Sequence, residues 1–306
     1  MARLVNPLAT ASQLYHRASY AYLPQDLQET IFLATQCLTQ AAGVLLELPQ
    51  SVTAQANVIL ARFWLTEAVT AHEFSDVSAA AIFLVSKIGP TPRSTRDVSN
   101  VYAYLLSSES TFFRDGSATT EPPKDDPRSY YQTDVDYFAF QNRILALEAQ
   151  ILTAVGFDAH VSLPHALAIT YLQTLDFASH DKTAISKRTL QYLNTALLSP
   201  QLLYLTHQPH ALATAAIYNA AKDVGAKMPG CAWWEVFDVD REELGFLVVG
   251  MRSVEGLLRE RKSLVGQGMV TRSKVEEEMR RRGLPTSSES KEADQENEVM
   301  KMMDER

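Results

Sequence analysis

The chain has 306 residues, 46% of them apolar and 21% charged, with a formal net charge of −8 at pH 7. That content can build a sizeable core in one large domain or two ordinary ones, and the acidic balance argues against a phosphate-binding surface as its main business. Cys37 and Cys231 stand alone and far apart, so neither a disulfide framework nor a cysteine metal site is indicated, and no run reads as a leader or a membrane span; a reducing compartment fits.

Taken in order, Met1–Leu23 reads as an irregular extension whose aromatic cluster, Tyr15, Tyr20 and Tyr22, is expected to pack on the body. Pro24 opens a helix in which Leu27, Ile31, Ala34, Leu38 and Ala42 recur at helical steps to about Leu46. Pro49 opens a second, through Ile59 and Phe63, to about Ala71. The third is the centre of the chain. Within Ser75–Pro92, the run from Asp76 to Ile88 is small or apolar on nearly every face, the pattern of a helix wrapped by others. Ser75 and Asp76 offer an N-cap, Gly89-Pro90 stops the helix, and Lys87 falls in its last turn, where a cation suits the carbonyl end. A fourth helix is expected from about Ser94 to Leu105 and a fifth over Asp134–Val155, ending at Gly156; Ser107–Thr133 between them reads as a surface loop.

The pattern then recurs. Helices are expected from Pro164, over Lys182–Leu198, over Pro209–Val224, at Trp233–Phe237 and over Arg241–Leu258. The two third helices align without a gap, Ser78–Lys87 against Ala213–Lys222. The expected architecture is therefore all-α: two five-helix bundles, each around an alanine-rich central helix. The bounds are 1–23 for the extension, 24–158 and 159–262 for the bundles, and 263–306 for a charged C-terminal extension. In the last, Ser273–Arg282 has helical potential and the polar tail from Pro285 reads as disordered.

No phosphate-cradling glycine loop, nucleophile elbow or paired metal ligands are seen, so the chain reads as non-catalytic, with no cofactor and no metal. His165 and His210 each follow a proline in an identical Pro-His-Ala-Leu-Ala pentapeptide, most simply a helix start. Trp233-Trp234 reads as a packed pair rather than a stacking platform. Arg280-Arg281-Arg282 is equally a nuclear address or a solvated helix face. On the residues alone, Lys87 and Glu148 are ordinary helix-end charges.

Specific stretches carry a resemblance to the cyclin family. Ala79–Ile88 is similar to the cyclin-box helix A-x-x-L-x-x-K-hydrophobic, and Arg93–Val98 to the R-x-x-R-D-V that follows it in transcription-type cyclins. Leu147–Leu152 with Gly156-Phe157 resembles the segment that closes the first box. Gln40–Gln50 and Leu163-Pro164-His165 resemble cyclin L most closely, while Trp233-Trp234-Glu235 is similar to cyclins T and K. The similarity covers roughly Leu27–Arg261. Two departures stand out: Gly89-Pro90 replaces the usual acidic residues after the lysine, and Glu29–Leu33 lacks the substrate-docking motif of cell-cycle cyclins.

The resemblance implies a tandem cyclin fold acting as the regulatory subunit of a cyclin-dependent protein kinase, in a nuclear heterodimer serving RNA polymerase II transcription and pre-mRNA splicing. It implies a kinase-binding site at Lys87, Ile88, Glu148, Leu152 and Phe157, with further transcription or splicing proteins as partners. Membrane association and direct nucleic-acid binding are not expected. Glu148 and Leu152 share a helix face, and Ile88 and Phe157 are expected just past helix ends, where an apolar side chain can anchor an interface; core packing is the plain alternative for Phe157. Two rivals stay open: a DNA-contacting adaptor, against which the acidic body argues, and a degenerate cyclin-fold scaffold without kinase activation, which Gly89-Pro90 keeps in play.

Overall fold

The computed structural model describes residues 5–19, 23–107, 110, 130–177, 183–266 and 271–284. After α1 (Ala11–Ser19), the first bundle comprises α2 (Gln25–Leu45), α3 (Gln50–Thr66), α4 (Phe74–Ile88), α5 (Thr95–Leu106) and α6 (Asp134–Ala154). Every residue of α4 from Phe74 to Ser86 is buried, with Ala79, Ala80 and Ala81 fully enclosed. The small side chains let α2, α3, α5 and α6 surround it. One polar thread crosses this core: the Ser78 hydroxyl lies 2.6 Å from both the Thr39 and Tyr102 hydroxyls.

The start of α4 differs from expectation. Ser75 and Asp76 do not cap it; Glu73 precedes the first turn and no side chain caps it. Burial of Phe74 draws the helix start upstream, and Asp76 instead forms an ion pair with Arg143 of α6 at 2.7 Å. At the other end the Gly89 N–H donates to the Val85 carbonyl, and a Cβ on Gly89 would sit 3.1 Å from that oxygen and 3.2 Å from the Val52 side chain. Glycine suits so close an approach.

The second bundle comprises α7 (Pro164–Thr174), α8 (Thr183–Ala196), a short α9 (Leu203–Thr206) that the sequence reading missed, α10 (Pro209–Val224), a 3-10 turn (Trp233–Phe237) and α11 (Arg241–Gly266). α10 is the buried centre, packed on α7, α8 and α11 and closed by Gly225 at φ 71°. Trp233 meets Trp234 and Phe237 edge-on, and Phe237 stacks on Tyr171 at 4.0 Å, so the tryptophan pair is packed. The described residues contain helices and no strands; this is a tandem cyclin fold.

Each bundle is tied to the other by the extension at the far end of the chain. Residues 5–10 lie on the second bundle. Asn6 donates its side-chain amide to the Ser162 carbonyl and accepts from the Ser162 N–H, both at 2.8 Å, while its backbone exchanges two 3.0 Å bonds with the Gln208 side chain. The extension was expected to be irregular, but Thr10 and Gln13 form a reciprocal cap that starts α1, which packs on α3. Tyr15 is 73% exposed, and Tyr20 and Tyr22 lie outside the described residues. At the other terminus α12 (Arg272–Arg281) returns to the first bundle, where the Arg282 guanidinium meets Asp26 at 2.6 Å. Of the arginine triplet, Arg281 and Arg282 both hold Glu278. Most of the expected loop, residues 108–109 and 111–129, and the tail from Pro285 lie outside the described residues.

Candidate partner-binding site

Two ion pairs of opposite polarity set α4 against α6. Near the start of α4, Asp76 takes the Arg143 guanidinium; at its end, the Lys87 ammonium reaches Glu148 Oε1 at 2.6 Å. Lys87 also lies over the Phe83 ring at 5.5 Å. Its repeat equivalent, Lys222, lies over Tyr218 at 5.6 Å in the same manner, yet has no carboxylate partner among the described residues. The adjacent Asp223 is held by Arg188 and Arg252.

Of the five residues singled out by sequence, Lys87 and Ile88 end α4, Glu148 and Leu152 lie in the C-terminal half of α6, and Phe157 follows α6. Ile88 is 57% exposed beside Lys87. Leu152, one turn beyond Glu148, is half-buried against the core. Past Gly156 at φ 62°, Phe157 also takes a positive φ of 60°, and its N–H donates to the Leu152 carbonyl at 2.8 Å. Two consecutive left-handed residues throw the phenylalanine ring outward, where it is 74% exposed. Core packing of Phe157 is thereby excluded.

The face is larger than those five. Leu145, three residues before Glu148 on α6 and so on a neighbouring face of the same helix, is 43% exposed. A signal for Leu145 was present. α6 is apolar on most sides, but the core takes only Phe140, Ile144, Leu147, Glu148 and Ile151 of it. A helix with more apolar residues than its core can use has a second face to cover.

The remaining motif residues hold the scaffold. Arg93 donates to the Leu46 carbonyl at 2.7 Å, Arg96 pairs with Asp134 at 2.9 Å over the Tyr137 ring, and Asp97 completes a capping box with Ser94. The two cyclin L-like stretches meet at the seam between bundles. Gln50 donates to both Gln40 and Asn194, and His165 Nε2 shares the same Asn194 oxygen at 2.9 Å. Burial pushes His165 below the usual imidazole range despite that hydrogen bond. Among the described residues no three His, Cys, Asp or Glu side chains gather as a metal site, and no helix is long and apolar enough to cross a membrane.

No protein-family model matches the chain. Individual relatives do. It is 32% identical over 218 residues to cyclin-L1 of Gallus gallus and 33% identical over 208 residues to cyclin-L2 of Homo sapiens, covering 71% and 68% of this chain. The matches take in 38% and 36% of those proteins, so the chain spans little more than a third of their length. An uncharacterized cyclin-L1-like protein of Schizosaccharomyces pombe is 31% identical over 247 residues, 80% of this chain and 88% of that one. Among solved structures, a chain of the yeast RNA polymerase II CTD kinase complex CTDK-1 has the same fold, with a TM-score of 0.63 at 15% identity over 81% of this chain and 73% of that one. The tandem bundles, the order of the box motifs and a relative matched over nearly its whole length place the chain in the cyclin family, among the cyclins of the L type.

Proposed function

We propose that the chain is a non-catalytic regulatory subunit that binds a cyclin-dependent protein kinase through the ends of α4 and α6, in a nuclear heterodimer serving RNA polymerase II transcription and pre-mRNA splicing. The observation that carries this reading is the Lys87–Glu148 pair, with Ile88 and Leu145 exposed on the same two helices and Phe157 exposed in the turn after α6. Fixed opposite charges on two rigid helices present directional hydrogen bonds to a partner, and the apolar groups around them bury area once it docks. Lys87 uses one of its three donors on Glu148 and is 55% exposed, so further donors remain for a partner's carbonyls. Holding a kinase's regulatory helix inward is a population shift. Moving a kinase from 1% to 99% active takes roughly 5.5 kcal/mol of preference for the active state.

Kinship with the L-type cyclins supports the transcription and splicing assignment, and the fold shared with a chain of a polymerase-tail kinase complex is consistent with it. Gly89-Pro90, in place of the acidic residues usual after the lysine, favours a second reading, a scaffold that activates no kinase. Affinity purification from native extract separates the two. A cyclin-dependent kinase at stoichiometric amount is the expected result; partners recovered without any kinase would select the scaffold.

A further inference from the structure

The helix α12 is a sparse occupant of the groove it fills. Seven of its ten residues are charged, and only Val275, Glu278 and Met279 are buried. Its ends are fixed by acids of the first bundle: Glu73 Oε1 accepts the Arg272 backbone N–H at 3.0 Å, and Asp26 takes Arg282 at 2.6 Å. Beside its first turn a cleft of about 570 Å³ stays open, lined by Thr271 and Ser273, by Tyr102, Leu106 and Phe140, and by the Asp76–Arg143 ion pair. A ten-residue helix is marginal alone, so α12 is helical because it is docked, and at the cleft it leaves Leu106 37% exposed.

We propose that this groove is an exchangeable docking site for a basic amphipathic helix of a partner protein, with α12 as its resident competitor. The pattern read by the groove is visible in α12: a helix start offered to Glu73, two apolar residues four apart at Val275 and Met279, and a guanidinium placed for Asp26. What α12 lacks is a bulky apolar side chain at Ser273 to fill the cleft. The groove lies at the start of α4 and Lys87 at its end. Fifteen residues at about 1.5 Å each put roughly 20 Å between them, so this site does not depend on the kinase reading.

The probe is a labelled synthetic peptide, Thr271–Leu284 carrying Ser273→Leu, added to the full chain. Saturable binding is expected. It should tighten at least about tenfold on a full chain carrying Arg282→Glu, whose own α12 is loosened, and weaken at least about tenfold on Glu73→Lys. A Lys222→Glu chain should bind as wild type does. On the unmodified chain, saturating peptide should accelerate amide hydrogen exchange across Arg272–Arg281, because the resident helix is displaced; this readout needs no variant to fold. Absence of saturable binding, indifference to Glu73→Lys, or unchanged exchange in α12 under saturating peptide would overturn the proposal.

Discussion

Lys87 and Glu148 touch at 2.6 Å but stand in unequal surroundings: the lysine side chain is 55% exposed, the glutamate 8%. The two halves of the pair therefore differ in what their loss leaves behind. Lys87→Ala strands a nearly buried carboxylate and should cost about 1–3 kcal/mol. Glu148→Ala frees a lysine that water already reaches and should cost less than about 1 kcal/mol. Urea denaturation of the two variants measures the difference. Equal losses would mean that Glu148 is better solvated than its geometry indicates.

The N-terminal clasp gives a second prediction. Asn6→Ala removes the two 2.8 Å bonds that the Asn6 side chain makes with the Ser162 backbone. Docking of residues 5–10 should weaken by about 2–4 kcal/mol, read as faster proteolysis of the extension and faster exchange of the Ser162 amide. Gln208→Ala, which cuts the other two bonds, should act in the same direction, and the double variant should fall short of additivity because all four bonds converge on Asn6. Wild-type proteolysis rates in both single variants would show that the clasp is not what holds the extension.

The third concerns acid. In the second bundle Asp223 is gripped by the Tyr192 hydroxyl and the Arg188 and Arg252 guanidiniums at 2.7–2.8 Å. Burial acts to raise its carboxyl, but these three partners outweigh burial and hold it below the usual carboxylate range. A depressed folded value means that the stabilisation is whole above about pH 4 and is lost as the pH falls through the folded value. Asp223→Asn should accordingly flatten the acid limb of a urea-midpoint profile taken from pH 5 to pH 2. An unchanged slope would assign the acid sensitivity to other carboxylates.

Much of this architecture was legible because it is local. The alanine run marks α4 and α10 as central, prolines start α2, α3, α7 and α10, and glycines stop α4, α6 and α10. Less was legible where burial overrides a local signal. Ser75 and Asp76 look like caps, but Phe74 pulls the helix start past them. The Thr10-x-x-Gln13 box was a local signal for α1 that went unread. Nothing local shows that α12 returns to the first bundle, since its two anchors are 199 and 256 positions away. For the candidate site, resemblance picks out Lys87 and Glu148, while their pairing across 61 residues is a property of the packed helices. Leu145 was missed because an exposed apolar residue looks like a core one until the core is seen to be full.

The most direct test of a cyclin-type interface is a binding titration of the co-purified kinase against wild type, Lys87→Glu, Glu148→Lys and the double swap, with thermal melts as a folding control. Losing a desolvated charged contact costs ~2–5 kcal/mol, and reversing the charge adds repulsion. Each single variant should therefore lose roughly a hundredfold or more in affinity. The double swap should restore the internal ion pair and the melting temperature but not the binding, because the partner still meets the wrong charges. Lys222→Glu, in the second bundle, should bind within about threefold of wild type, since a distant surface charge acts only through screened fields. Wild-type affinity in both Lys87→Glu and Glu148→Lys would contradict the interface and leave the scaffold reading in its place.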